Sequence, residues 1–142
     1  METPVIEALR NFIKKYPKIA ELNKGLNVEY QGEDPGSYSL EYEPGEVWIK
    51  RYVNGTGQKQ FNFVLSGREV HTEDVHDNID NSAFYEEFAE WLDQCTARKE
   101  FPVLGTNQKA YEISATTGGY LNDSENGTAQ YIIQCSLKYY QL

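Results

Sequence analysis

The sequence predicts an α+β domain: a mixed, largely antiparallel sheet with two flanking helices and a long β-hairpin. Three observations predict it. Two segments, near residues 3–17 and 81–95, repeat apolar residues at helical spacing. Six others alternate apolar and polar residues with a period of two. The two kinds of segment do not interleave as strand–helix–strand units, which argues against a doubly wound parallel sheet. A chain of 142 residues fits a single domain spanning residues 1–142 and is long enough to bury a core without disulfide or metal staples. It has no internal repeat.

The elements follow in order. Thr3 and Pro4 read as a helix start, an N-cap acceptor followed by a proline at the first helical position. Ile6, Leu9, Phe12, Ile13 and Tyr16 give that helix one apolar face; Pro17 ends or kinks it, and Gly25 closes the segment. LNVEY alternates as a short strand, QGEDPGS is turn-rich, and SYSLEYE alternates through Tyr38, Leu40 and Tyr42. EVWIKRYV and QKQFNFVLS flank the reversal signal NGTG, so residues 47–66 read as a long hairpin. Val47, Ile49, Arg51 and Val53 fall on one side of its first arm; Phe61, Phe63 and Leu65 share a face of the second. Residues up to Asp80 have weak periodicity and read as a loop or short helical turn. Asn81 or Ser82 caps the clearest amphipathic helix, with Phe84, Phe88, Trp91, Leu92 and Cys95 on its apolar stripe. FPVLGTNQ is a linker. AYEISATT alternates through Tyr111, Ile113 and Ala115, Gly118-Gly119 permits a bend, and NDSENGT is a polar hairpin loop. TAQYIIQCSLKYY is the closing strand, with Ala129, Tyr131, Ile133, Cys135, Leu137 and Tyr139 on one face.

Charge is unevenly spread. The chain has 22 acids and 13 Lys or Arg, a net charge of −9. Nine of the acids, and no Lys or Arg, lie between Glu69 and Asp93, so the remainder balances at 13 of each. Glu86, Glu87, Glu90 and Asp93 fall mostly off the apolar stripe, where a solvated helix face explains them. Glu69, Glu73, Asp74, Asp77 and Asp80 precede the expected cap and have no such explanation; they read as a wall or a subunit contact. An acidic balance argues against a simple phosphate-binding role. The N-terminus lacks the pattern of a signal peptide, and no apolar run approaches the ~20 residues that span a bilayer. The expectation is a soluble protein with no membrane partner. The sequons at Asn54, Asn122 and Asn126 then read as turn chemistry.

No chemical constellation stands out. His71, Asp74, His76 and Asp77 invite a metal reading, but the two histidines are five apart and miss the same-face helical spacing, and there is no third. GTG in the hairpin has neither the Lys-Ser/Thr nor the helix of a phosphate loop. Ser66-Gly67 lacks the nucleophile-elbow pattern, and Cys95 and Cys135 both fall on apolar faces, where thiols are inert core residues. Glu86 and Glu87 are neighbours that point apart on a helix surface. The expectation is therefore a non-enzyme without metal or cofactor. The hairpin is the stronger candidate. Lys50, Arg51 and Lys59 place positive charge beside Trp48 and Tyr52, with Asn54 at the turn. Basic and aromatic residues together mark nucleic-acid or protein interfaces, and the acidic remainder of the chain favours the protein interface. An acidic segment and a basic hairpin on one chain suit head-to-tail association, which closes into rings.

The runs IKRYVNGTGQKQFNFVLSGRE, NIDNSAFYEEFAEWLDQC, FPVLG, YEISATTGGYL and TAQYIIQCSLKYYQ resemble the minor capsid or tail terminator proteins of long-tailed bacteriophages, common in prophages of Gram-positive hosts. The resemblance covers nearly the whole chain; KRYVNG with the following QF strand, NSAFYEEFAEWL and the tyrosine-ended final strand are its most specific pieces. It implies an α+β fold with a mixed sheet and two helices. It implies a non-enzymatic virion protein of the tail or neck, made in the host cytoplasm and often monomeric in solution. Such a protein assembles with itself as a hexameric ring on the tail tube protein, stops tube growth and meets the head-side connector protein. DNA passes through the ring without specific binding, and acids facing the lumen would repel it. The family offers no binding-residue motif to transfer, so the hairpin residues rest on composition alone. The alternative reading is an acidic regulatory module that occupies a basic partner as a nucleic-acid mimic.

Overall fold

A computed structural model of the chain describes residues 4–17, 26–28, 37–70, 75–125 and 128–142, with the side chains of these except 27, 70, 75–81 and 123–125. Thr3, Gly25, His71, Glu73, Asp74 and most of the QGEDPGS turn lie outside them. The elements run α1 (Val5–Ile13), β1 (Leu26–Val28), β2 (Ser37–Tyr42), β3 (Trp48–Arg51), β4 (Gly57–Val70), α2 (Val75–Ala97), β5 (Gln108–Ala115), β6 (Tyr120–Glu125) and β7 (Thr128–Gln141). The strands form one seven-stranded sheet in which β1–β2 is parallel and the other pairings are antiparallel. The expected α+β class, with its mixed and largely antiparallel sheet, two helices and a hairpin, is what the described residues adopt.

Two long strands organise the sheet. β4 and β7 pair over their whole length, from Gly57 with Gln141 to Val70 with Thr128, roughly 46 Å of ladder at ~3.3 Å per residue. β2 and β3 share the other side of β4, and β5 and β6 share the other side of β7. Period-two alternation sends Phe63 and Leu65 of β4 and Ala129, Tyr131, Ile133, Cys135, Leu137 and Tyr139 of β7 to one buried face. The helices cover that face. Each large apolar side chain fully buried there stabilises the fold by about 1.5–3 kcal/mol.

Aromatic rings knit the helices together. Tyr16 of the turn after α1 meets Phe84, Phe88 and Trp91 of α2 at centroid distances of 5.8, 5.3 and 5.3 Å. Tyr85 is fully buried and stacks on Tyr131 at 5.6 Å. Its hydroxyl lies over Gly67, and its Cβ lies against Gly119; a side chain at either glycine would overlap Tyr85. The α2 C-terminus also covers an edge. Thr96 Oγ1 donates to the Ile113 carbonyl (2.7 Å) and accepts from the Ile113 N–H (3.0 Å), satisfying the outward backbone groups of β5 there.

The opposite face of the sheet is polar. Ser39, Ser66 and Ser136 are buried on it, and Gln130 donates to Ser66 Oγ (2.8 Å). Lys138 pairs with Glu112 across β7 and β5 (3.0 Å).

Several boundaries differ from the sequence reading. Pro4 is the N-cap and not the first helical residue: its ψ of 147° is extended while its carbonyl accepts from Glu7 and Ala8. α1 stops at Ile13 and tightens through Lys15 N–H to Phe12 and Tyr16 N–H to Ile13, ahead of Pro17. Neither Asn81 nor Ser82 caps α2, which already begins at Val75 and passes through both. Cap-favouring residues cost only a few tenths of a kcal/mol inside a helix, so docking outweighs them. NDSENGT is mostly strand, since β6 runs to Glu125 and pairs with Thr128; only residues 126 and 127 remain between β6 and β7. A bulge between Ala110 and Glu112 turns Tyr111 to the polar face, where its hydroxyl donates to Gln58 (3.1 Å) and its ring meets Tyr140 at 4.5 Å. Tyr111 therefore does not share the buried face with Ile113.

Candidate functional site

The hairpin forms, but with unequal arms. β3 has four residues against fourteen in β4, and it joins β4 only at Gly57–Lys59. Asn54 builds the turn: its Oδ1 accepts from Thr56 N–H (3.1 Å) and Thr56 Oγ1 (2.8 Å), and Gly55 takes a positive φ of 89°. That side chain is committed to the reversal. Tyr52 N–H donates to the Thr56 carbonyl (2.8 Å) and closes it.

Beyond the turn the hairpin collects exposed apolar and cationic side chains. Val47, Ile49, Tyr52 and Val53 are all exposed, although the pattern of the first arm resembles a core strand. No described element covers them, because β3 is a short edge strand paired only to β4. The three predicted cations are brought together on aromatic rings. Arg51 and Lys59 both sit over Trp48, their charged groups 4.8 and 4.6 Å from its centroid. Lys50 lies 5.2 Å from the Tyr52 centroid. These contacts are attractive but weak where exposed, about 0.5–1 kcal/mol each. None of the three cations meets a carboxylate among the described residues. A bulge between Trp48 and Lys50, with Lys50 and Arg51 exposed, blocks regular addition of another strand at this edge. The hairpin therefore offers side chains, not backbone, to a partner.

The acidic segment divides differently from its sequence reading. Glu69 is not in a loop. It sits near the end of β4 on the helix-facing side, half-buried, and its carboxylate accepts a hydrogen bond from Tyr38 Oη. The Tyr85 phenol is also close, but its oxygen has no hydrogen bond of normal geometry among the described residues. Burial raises the Glu69 pKa, opposed by the phenols, and burial beside Glu69 pushes both Tyr38 and Tyr85 far up. Glu69 is engaged inside the fold and is not wall surface. Asp77 and Asp80 lie on the backbone of α2, with side chains outside the described residues; Glu73 and Asp74 lie outside altogether.

Among the described residues of this segment, the surface acids are those that the sequence assigns to a solvated helix face. Glu86, Glu90 and Asp93 are exposed and stand at i, i+4 and i+7, which puts them on one stripe of α2 about 10 Å long. They have no cationic partner among the described residues. Since α2 begins at Val75, Glu86 lies well past its first turn, so the helix dipole does not explain the stripe. The spacing was present in the sequence; what hid it was the expected cap at Asn81 or Ser82.

Catalytic and metal chemistry finds no geometry among the described residues. No group of three His, Cys, Asp or Glu side chains converges there as metal ligands. Cys95 and Cys135 are free and buried, and desolvation raises both thiols away from the reactive thiolate. The concavities beside α1 are open grooves around Phe12, Lys15, Trp91 and Phe101, and Cys95 is the one cysteine among their linings. Glu86 and Glu87 lie on an exposed helix surface; Glu87 lines the groove beside Tyr16 and Trp91, and Glu86 is not among the residues lining it, so the groove does not pair them as acid and base. No described helix is long and apolar enough to cross a membrane. Comparison with protein-family models and with curated proteins gives no match.

Proposed function

We propose that the chain is a structural protein of a long-tailed phage virion. It closes as a ring on the end of the tail tube, terminates tube growth and joins the tube to the head-side connector. The observation that carries this reading is a surface with two complementary parts: a cluster of cations on an aromatic hairpin, and an acidic stripe on α2, neither of which meets an opposite charge among the described residues. A protomer with two unlike, complementary patches makes heterologous contacts, which close into a ring where the rotation between successive copies closes. The resemblance of the chain to tail terminator proteins supplies the setting. The mechanism is geometric: bind the last ring of tube subunits, close, and deny the next subunit a surface. A net charge of −9 suits a ring through which DNA passes, because like charge suppresses phosphate binding.

The test is deletion of this gene from the phage or prophage that carries it, followed by negative-stain imaging of tails. Overlong tubes are expected; tails of normal length refute the reading. A second reading, an acidic mimic that occupies a basic nucleic-acid-binding partner, draws on the same α2 stripe. It predicts competition with DNA for that partner and no effect on tail length.

A further inference from the structure

We propose that the hairpin patch of one copy seats the α2 acidic stripe of a second copy, with Lys50, Arg51 and Lys59 facing Glu86, Glu90 and Asp93. This contact deepens the ring reading and rests on it for its biological use.

Charge complementarity selects the occupant, and geometry keeps the two patches of a single copy apart. The first half of the stripe is fixed over the far part of β4, because the Tyr85 hydroxyl lies over Gly67 and Glu86 follows Tyr85. The hairpin joins β4 at Gly57–Lys59. From Lys59 to Gly67 is eight residues of extended strand, roughly 26 Å. Side chains cannot bridge that distance, so Glu86 cannot neutralise Lys50, Arg51 or Lys59 of its own chain, and among the described residues neither Glu90 nor Asp93 forms an ion pair with them. A neighbouring copy can. The scales also agree. Arg51 and Lys59 lie within 5 Å of one Trp48 centroid, so their charges are within about 10 Å of each other, close to the length of the stripe. Exposed Val47, Ile49 and Tyr52 supply apolar contact beside the charges, as interface cores require. Trp48 holds two of the cations in place before contact, which lowers the ordering cost of binding. A single-stranded nucleic acid would also meet aromatic and cationic groups here and is the competing occupant that the experiment distinguishes.

The experiment uses purified full-length chain, with sedimentation velocity across a concentration series at low and high salt. Two charge-reversal variants are made: Lys50→Glu with Arg51→Glu, and Glu86→Lys with Glu90→Lys. Wild-type protein should self-associate at low salt and lose association as salt screens the contact. Each variant alone should associate more than about tenfold more weakly, since like charges face each other. The two variants mixed one to one should associate again, because the acidic hairpin of one fits the basic stripe of the other. All substituted side chains are exposed, and far-UV circular dichroism confirms that both variants fold. Association of either variant at wild-type strength overturns the contact, as does a mixture that remains monomeric. A wild-type chain that stays monomeric at the highest concentration and lowest salt overturns it too. Binding of a single-stranded oligonucleotide, lost in the hairpin variant and unaccompanied by self-association, reassigns the patch to nucleic acid. If this contact fails while gene deletion still gives overlong tails, the ring function stands and only its interface is wrong.

Discussion

Glu69 shows how far one residue can depart from the character of its neighbourhood. It opens the most acidic run of the chain, yet it is a half-buried carboxylate held by Tyr38. Burial is the largest influence on it and raises its pKa above the ordinary 4.5. The folded chain therefore keeps the proton to higher pH than the unfolded chain. The stabilising contribution of the protonated group is fully present below pH 4.5 and is lost as pH rises through the folded value. Glu69→Gln, which can still accept from Tyr38, lacks this dependence. Urea melts of both proteins from pH 4 to 8 should show the difference shifting steadily in favour of the variant as pH rises; a shift in favour of the wild type would refute the assignment. Sequence alone does not reveal this environment, because it depends on register: Glu69 lies two residues beyond Gly67, which pairs with Tyr38. Tyr85 was equally hidden. Of the expected apolar stripe Phe84, Phe88, Trp91, Leu92 and Cys95, Phe88, Leu92 and Cys95 are buried and Phe84 and Trp91 lie at its margin, whereas Tyr85, outside that stripe, is fully buried.

At the scale of elements, strands with one buried face were the most legible. Every residue assigned to the inward face of the final strand is buried, because period-two alternation leaves little freedom once a sheet is half covered. Positions governed by bulges and edges were not legible. The bulge at Ala110/Glu112 reverses Tyr111, and the edge position of β3 exposes Val47 and Ile49 despite their strand-like pattern. The start of α2 was missed for a related reason: periodicity marks the buried part of a helix, and α2 extends beyond it toward Val75. Its other end has a well-defined stop. Glu100 N–H donates to the Cys95 carbonyl (2.9 Å) and Lys99 N–H to Thr96 (3.1 Å), with Lys99 at a left-handed φ of 59°. This is a Schellman cap with lysine where glycine is usual. Lys99→Gly should raise stability by about 1 kcal/mol, read as a shift in urea midpoint with unchanged slope. A destabilised variant would show that the lysine side chain contributes more than its backbone costs.

For the whole molecule, stability is concentrated in the β4–β7 ladder. Phe63, Leu65, Ile133 and Leu137 are completely buried beside it, and Ser66 and Ser136 are buried on its polar side. Among the described residues β3 has neither a second neighbour nor a covered face. Hydrogen exchange should therefore separate the sheet into two classes. Amides of Leu65 and Ile133 should exchange only by global unfolding, whereas Lys50 and Arg51 should exchange orders of magnitude faster by local opening. Equal protection of β3 and β7 would contradict this ranking. The overall class was readable from the sequence because α1, the buried part of α2 and the long strands carry clear periodicity; the strand order was not, because it is fixed by contacts between residues distant along the chain.

The central placement of β7 has a consequence for synthesis. The β4–β7 ladder joins residues from 58 apart (Val70 with Thr128) to 84 apart (Gly57 with Gln141), and among the described residues β5 and β6 pair with no strand but β7. On the ribosome β4 waits with one edge open until the last strand arrives, at about 5–20 residues per second a delay of several seconds. During that time β5 and β6 have no sheet to join. A nascent chain halted before residue 128 is therefore left with three strands lacking their shared partner, the state in which chaperone binding or misassembly competes with folding.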